Sequence, residues 1–246
     1  MIILVLNSGS SSIKYQLFDM KNEQVVVKGL IERVGEENPS MTHQWNGETL
    51  KQDIKAKDHS EAITHAKELL LDPSKGGVKE ASEISAVGHR VVHGGETFVE
   101  SSLITKEVEN IIEEYFTLAP LHNPPNLVGI RAAKKVFSDV PHVAVFDTSF
   151  HQTMPPKAFL YAMRYDVYEQ DRIRRYGFHG TSHRYVTQRA AELLNISAQD
   201  FNGITVHLGN GCSLTAVQNG KSVDTSMGLT PLEGVPMGTR SGDIDP

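Results

Sequence analysis

Apolar residues run unbroken through positions 2–6, and from Ile13 they alternate with polar ones through Tyr15 and Leu17. The unbroken run predicts a short strand buried on both faces, and the alternation a half-buried strand. Asn7 to Ser12 between them are small, polar and turn-prone, so the pattern is strand, tight turn, strand. A Val- and Ile-rich stretch over 24–34 predicts a third strand. Weak alternation over 41–54 predicts a hairpin turning at Asn46 and Gly47.

At Asp58 the period lengthens. Asp58 and Glu61 have capping-box spacing, and Ala62, Ile63, Ala66, Leu69 and Leu70 form a helical stripe. After a loop at 72–77, residues 84–92 predict a strand that ends in His93, Gly94, Gly95 and Glu96. Val108, Ile111, Ile112 and Tyr115 predict a helix over 106–118. Asn123 before Pro124 and Pro125 predicts another helix start, continued by Leu127, Ile130, Ala133 and Phe137. A buried strand over 142–146 delivers Asp147 at its end. Strands followed by helices between strands predict an α/β domain over 1–150.

Near residue 150 the character changes to prolines, aromatics and the arginines 164, 172, 174 and 175, so a second domain is placed at 151–246. Ser182 is expected to cap a helix burying Val186, Ala190, Leu193 and Leu194. Residues 203–208 and 214–217 predict strands around a small tip, Gly209 to Ser213, with a turn at Asn219 and Gly220. This strand–tip–strand echoes residues 5–13, which suggests two related halves with two phosphate-binding tips on one cleft.

Composition narrows the classes. With 39% apolar and 22% charged residues, the 246-residue chain reads as a soluble globular protein. A net charge of −6 disfavours general attraction to nucleic acid or an anionic membrane. One cysteine, Cys212, excludes an intrachain disulfide and suits a reducing cytoplasm. No signal peptide or membrane-length apolar run is evident.

Candidate chemistry gathers on glycine-rich turns. The first tip offers backbone N–H groups, hydroxyls and Lys14, which can cradle a phosphate; an ordinary polar hairpin is the alternative, and P-loop spacing is absent. Arg90 precedes a glycine-rich turn, His179 precedes a helix start, and Arg240 ends an irregular loop. Arginine suits carboxylate and phosphate, although structural ion pairs are the ordinary use of such residues. Asp147 at a strand end suits Mg²⁺ or a general base. His89/His93 and His179/His183 stand four apart, but the zinc signature His-Glu-x-x-His is missing.

Seven stretches then point one way: residues 5–14, Val-Leu-Asn-Ser-Gly-Ser-Ser-Ser-Ile-Lys; 88–95, Gly-His-Arg-Val-Val-His-Gly-Gly; 119–126, Ala-Pro-Leu-His-Asn-Pro-Pro-Asn; 145–155, Val-Phe-Asp-Thr-Ser-Phe-His-Gln-Thr-Met-Pro; 176–183, Tyr-Gly-Phe-His-Gly-Thr-Ser-His; 207–211, His-Leu-Gly-Asn-Gly; and the glycine-rich 227–246. Together they resemble the acetate kinases, within the acetate and sugar kinase, heat-shock chaperone and actin superfamily.

The resemblance implies a duplicated actin-like/RNase H-like ATPase fold, two α/β domains around a cleft, the second truncated. It implies phosphoryl transfer between ATP and acetate, giving ADP and acetyl phosphate, with Mg²⁺ or Mn²⁺, in a cytoplasmic homodimer. Asn7 would hold the metal, and Lys14 would approach the nucleotide phosphates. Arg90 would bind the substrate carboxylate, Asp147 would be the catalytic carboxylate, and His179 and Arg240 would stabilise the transition state. His207, Leu208, Gly209, Asn210 and Gly211 would cradle ATP. Val92, Leu121, Phe178 and Pro231 would form the methyl pocket, with His122 and His183 nearby. Propionate or butyrate kinase, and a non-catalytic actin-like nucleotide-binding module, are the alternatives. Family members continue well beyond residue 246, so the chain is expected to be an N-terminal portion, poorly active or inactive alone.

Overall fold

A computed structural model describes residues 1–245. Two units divide the chain: Met1–Val91 with Ser101–Val145, and Val92–Glu100 with the chain from Phe146 on.

The first unit is built on β1 (Ile2–Ser8), β2 (Ser12–Asp19), β3 (Gln24–Glu32), β4 (Ser40–Trp45) and β5 (Glu48–Asp53). These form an antiparallel meander whose alternating residues put Leu4, Leu6, Ile13, Tyr15 and Leu17 on one face. Asn46 and Gly47, both at positive φ, turn the β4–β5 hairpin as expected. Helix α1 (His59–Leu70) starts where Asp58 Oδ1 accepts from the Glu61 amide at 2.9 Å, and it buries Ala62, Ile63, Ala66 and Leu70 against that face.

Strand β6 (Ile84–Val91) runs parallel to β1. Then follow β7 (Ser102–Leu103), α2 (Lys106–Glu114), α3 (Asn123–Val136) and β8 (His142–Phe146). The sheet order is β5-β4-β3-β2-β1-β6-β8-β7. Helix α2 is shorter than expected: Tyr115 leaves helical geometry, and residues 115–118 form turns. Helix α3 begins with prolines in its first turn, where their missing N–H groups cost nothing. Buried Glu109 of α2 ties the two helices together, accepting from Lys134 at 2.7 Å and Arg131 at 3.2 Å. Burial opposes its ionisation, but those two cations outweigh burial and hold Glu109 below the usual carboxylate range.

The second unit contains α4 (Pro156–Phe159), α5 (Tyr165–Asp171), α6 (Gly180–Leu193), β9 (Gly203–Leu208), β10 (Cys212–Gln218) and β11 (Lys221–Thr225). The strands form an antiparallel sheet ordered β11-β10-β9. Two expectations fail here. Helix α6 starts at Gly180, with His179 rather than Ser182 at the N-cap position and no side-chain cap. Its buried residues are Gly180, His183, Thr187 and Ala191, whereas Val186, Leu193 and Leu194 are exposed.

The sheet explains why. Its inward side is polar, with Thr205, Ser213, Thr215, Ser222 and Thr225 all buried, while Ile204, Val206 and Leu208 face outward. A hydroxyl-lined sheet face demands a polar helix face opposite it, so the apolar residues of α6 turn away.

Candidate active site

In the first unit, the β1–β2 tip closes through the Gly9 amide on the Ser12 carbonyl at 2.7 Å. Two further bonds pin it from outside the hairpin. Asn126 Nδ2 of α3 donates to the Ser8 carbonyl at 2.7 Å, and His59 Nε2 of α1 to the Gly9 carbonyl at 2.8 Å. Asn7 and Lys14 are cross-strand partners and line an open trough of about 670 Å³ with Gln16, Lys28, Glu32 and Lys51. Arg90, on β6, is half-buried. Leu121 is 80% exposed in the turn before α3, and His122 beside it is also exposed.

The same unit buries a histidine pair. His89 Nε2 lies 2.8 Å from His142 Nδ1, and His142 Nε2 lies 3.1 Å from the Phe137 carbonyl. That carbonyl can only accept, so His142 carries its proton on Nε2 and receives the His89 proton at Nδ1. Burial, with the charges of His142 and Lys134 added, pushes His89 down to about 3.

In the second unit, Asp147 follows β8 and is buried. The Gly180 amide donates to its carbonyl at 2.8 Å, which fastens the α6 start to that backbone. His179 is held at φ 57°, a left-handed conformation uncommon outside glycine that turns its ring toward the β9–β10 tip. There the ring stacks on His207 with centroids 4.1 Å apart, and its Nδ1 lies 2.9 Å from Ser213 Oγ. His207 Nδ1 is bonded to Ser182 Oγ at 2.9 Å.

Gly211 shows how closely the groups converge. A β-carbon there would stand 2.8 Å from Arg240 Nη2, 3.0 Å from His179 Cε1 and 3.2 Å from His179 Nε2. Arg240 is braced by Nη1 donating to the Pro231 carbonyl at 2.6 Å. Leu208, Gly209 and Asn210 are exposed along the same tip, whose turn closes through the Gly209 amide on the Gly211 carbonyl at 3.0 Å. His179, His207, Gly211 and Arg240 thus share one place, and Pro231 touches it through its backbone.

Val92 and Phe178 pack with Met227, which sequence reasoning missed, and Met237 lies against them. Ser182, Thr205 and Ser213 were missed as site residues too. The signal for Thr205 and Ser213 is alternation, Thr205 with His207 along β9 and Ser213 with Thr215 along β10, whereas Ser182 lies on α6 and has none of it. The arginine cluster divides by use. Arg174 is an ion pair with Glu96 at 2.6 Å, laid over Phe159; Arg175 caps the Thr225, Ser226 and Met227 carbonyls; Arg164 pairs with Asp166 at the surface.

Among the described residues, no group of three or more His, Cys, Asp or Glu side chains gathers as metal ligands. His179 and His183 meet at the Ser213 hydroxyl, and His89 is bonded to His142. A buried carboxylate such as Asp147 suits Mg²⁺, which takes one or two carboxylates and fills its shell with water and phosphate oxygens. No helix among the described residues is long and apolar enough to cross a membrane.

Comparison with known proteins identifies a family. Curated proteins named acetate kinase from Pseudothermotoga lettingae and Thermosipho africanus are each 59% identical over 246 residues, all of this chain and 61% of theirs. The chain therefore spans about three fifths of the length of these relatives. Its backbone matches the crystal structure of an acetate kinase from Porphyromonas gingivalis at a TM-score of 0.96 and 47% identity, covering 100% of this chain and 62% of that one. A propionate kinase from Francisella tularensis matches at 0.93 and 45%, with the same coverage. The model of the acetokinase family matches residues 2–246, and the chain belongs to that family.

Proposed function

We propose that the protein transfers the γ-phosphoryl group of ATP to acetate, giving acetyl phosphate and ADP, and runs the reverse reaction. The convergence of His179 and Arg240 on the Gly211 tip carries this reading. Phosphoryl transfer asks for alignment and charge neutralisation rather than covalent help, and a guanidinium beside an imidazole N–H suits the equatorial oxygens of the moving group. Acetate is already ionised at neutral pH, so its oxygen attacks phosphorus as the bond to the ADP oxygen breaks, and no base is needed. Arg90 would take the carboxylate, while Lys14 and the 207–211 tip would take the nucleotide phosphates. Asn7 and Asp147 would offer oxygens to Mg²⁺, or to Mn²⁺. Either cation would neutralise phosphate charge. The proposal includes a homodimer in the cytoplasm, as the family resemblance implies.

Val92, Phe178, Leu121 and Pro231 would set the fit of the acyl chain. Propionate is the second reading, favoured by the likeness to the Francisella propionate kinase. One extra methylene changes discrimination only about 10–200-fold. A coupled assay with ATP and Mg²⁺ against acetate, propionate and butyrate tests both. Acyl phosphate formed fastest from acetate supports the first reading, and a higher kcat/KM for propionate moves the assignment to the second. Nucleotide binding without acyl phosphate from any of the three sinks both in favour of a binding module.

A further inference from the structure

Resting on the phosphotransferase reading above, we infer that Thr205, His183 and Ser213 form a one-way hydrogen-bond relay that fixes His179 as the neutral tautomer with its proton on Nε2. These three are positioning residues, acting through His179. The distances are short throughout: Thr205 Oγ1 to His183 Nδ1 is 2.8 Å, His183 Nε2 to Ser213 Oγ is 2.7 Å, and Ser213 Oγ to His179 Nδ1 is 2.9 Å. Thr205, His183 and Ser213 are all buried.

Proton counting selects the direction. The serine hydroxyl has one proton and can donate to one histidine only. If it donated to His183, the His183 proton would sit on Nδ1 and point at Thr205. The buried Thr205 hydroxyl, which has no other partner among the described residues, would then hold a proton with no acceptor. In the opposite direction every proton has an acceptor. Thr205 donates to His183 Nδ1, His183 Nε2–H donates to Ser213, and Ser213 donates to His179 Nδ1. His179 must then carry its proton on Nε2, the atom beside Gly211 and Arg240.

A neutral His183 is what this direction requires. Burial is the main cause that lowers His183 to about 4. The consequence for the reaction is that His179 offers an N–H donor to the phosphoryl oxygens without having to be protonated. Of these two side chains beside Gly211, only Arg240 then supplies charge.

Nitrogen-15 NMR of histidine-labelled protein, with the His179 signals assigned by loss in His179→Asn, reads the tautomer directly. The Nε2–H form is expected for His179 in the unmodified protein, and an Nδ1–H form would overturn the relay. Ser213→Ala is expected to mix the two forms and to lower kcat about 10- to 100-fold with little change in KM for either substrate. Ser213→Thr, which keeps the hydroxyl, should restore both signals. An unchanged tautomer and kcat in Ser213→Ala would also overturn it, and if that variant fails to fold the measurement on unmodified protein still decides. Because the tautomer is read without turnover, an Nε2–H signal in a protein that makes no acyl phosphate would sink the functional reading while leaving the relay standing.

Discussion

The amide of Gly180 donates to the carbonyl oxygen of Asp147 at 2.8 Å, and a β-carbon on Gly180 would stand 2.3 Å from that same oxygen. The first residue of α6 is therefore packed on the backbone that presents the candidate catalytic carboxylate. Alanine at 180 has to displace one or the other. Gly180→Ala is expected to cost about 1–3 kcal/mol in stability, as overpacking does, and to lower kcat on the order of 100-fold through misplacement. Urea unfolding and the acyl phosphate assay check the two effects separately; wild-type turnover in this variant would show that the placement of Asp147 is not set here.

Asp147 itself is expected to work through the metal and through positioning, since acetate needs no base. Asp147→Asn should therefore lose activity at ordinary Mg²⁺ and regain it as Mg²⁺ is raised. An unchanged Mg²⁺ dependence together with a lost limb of the pH–rate profile would instead identify Asp147 as a general base.

The Arg174 side chain is 4% exposed and that of Glu96 33%, and Tyr168 also donates to Glu96 at 2.9 Å. Removing the carboxylate strands a buried guanidinium. Glu96→Ala is expected to destabilise the protein toward the low end of about 3–5 kcal/mol, given that Glu96 is partly solvated. Adding Arg174→Met should recover part of the loss in the double variant, and strict additivity of the two losses would argue against the pairing.

The His89–His142 pair makes stability depend on acid. Both histidines have their pKa lowered by burial, so both fold neutral, while the unfolded chain takes up protons below the ordinary value of 6.5. The contribution is complete above 6.5 and is lost progressively as pH falls toward about 3, the folded value of His89. The urea midpoint is expected to drop across this range, and His89→Phe should lessen the drop, since buried His93, His151 and His183 also have lowered pKa values. A midpoint level between pH 7 and 5 would contradict it.

The meander and its hairpin turns were legible because their apolar residues face a real apolar core, so alternation carries through from Ile13 to Leu17. Helix α6 was misread because that rule inverts in the second unit. His183 and Thr187 go in, and Leu193 and Leu194 go out, to match a hydroxyl-lined sheet. Helices α4 and α5 span four and seven residues, too short for a period to declare itself.

In the site, His179 and Arg240 were visible as costly residues on glycine-rich turns. Ser213 was not, since its importance comes from register. Pairing with His207 across β9–β10 sets it on the inward face, where it meets both His179 and His183.

The outward side of β9 has a consequence for handling the protein. Ile204 is 69% exposed, Val206 46% and Leu208 78%, and β9 ends its sheet, so among the described residues no strand pairs with its outer edge. Bare N–H and C=O groups beside a branched apolar row form a template for strand addition and a seed for self-assembly. The 246 residues by themselves are accordingly expected to scatter more light as protein concentration rises. Val206→Lys, a charge placed on that row, should suppress the rise without touching the inward hydroxyls.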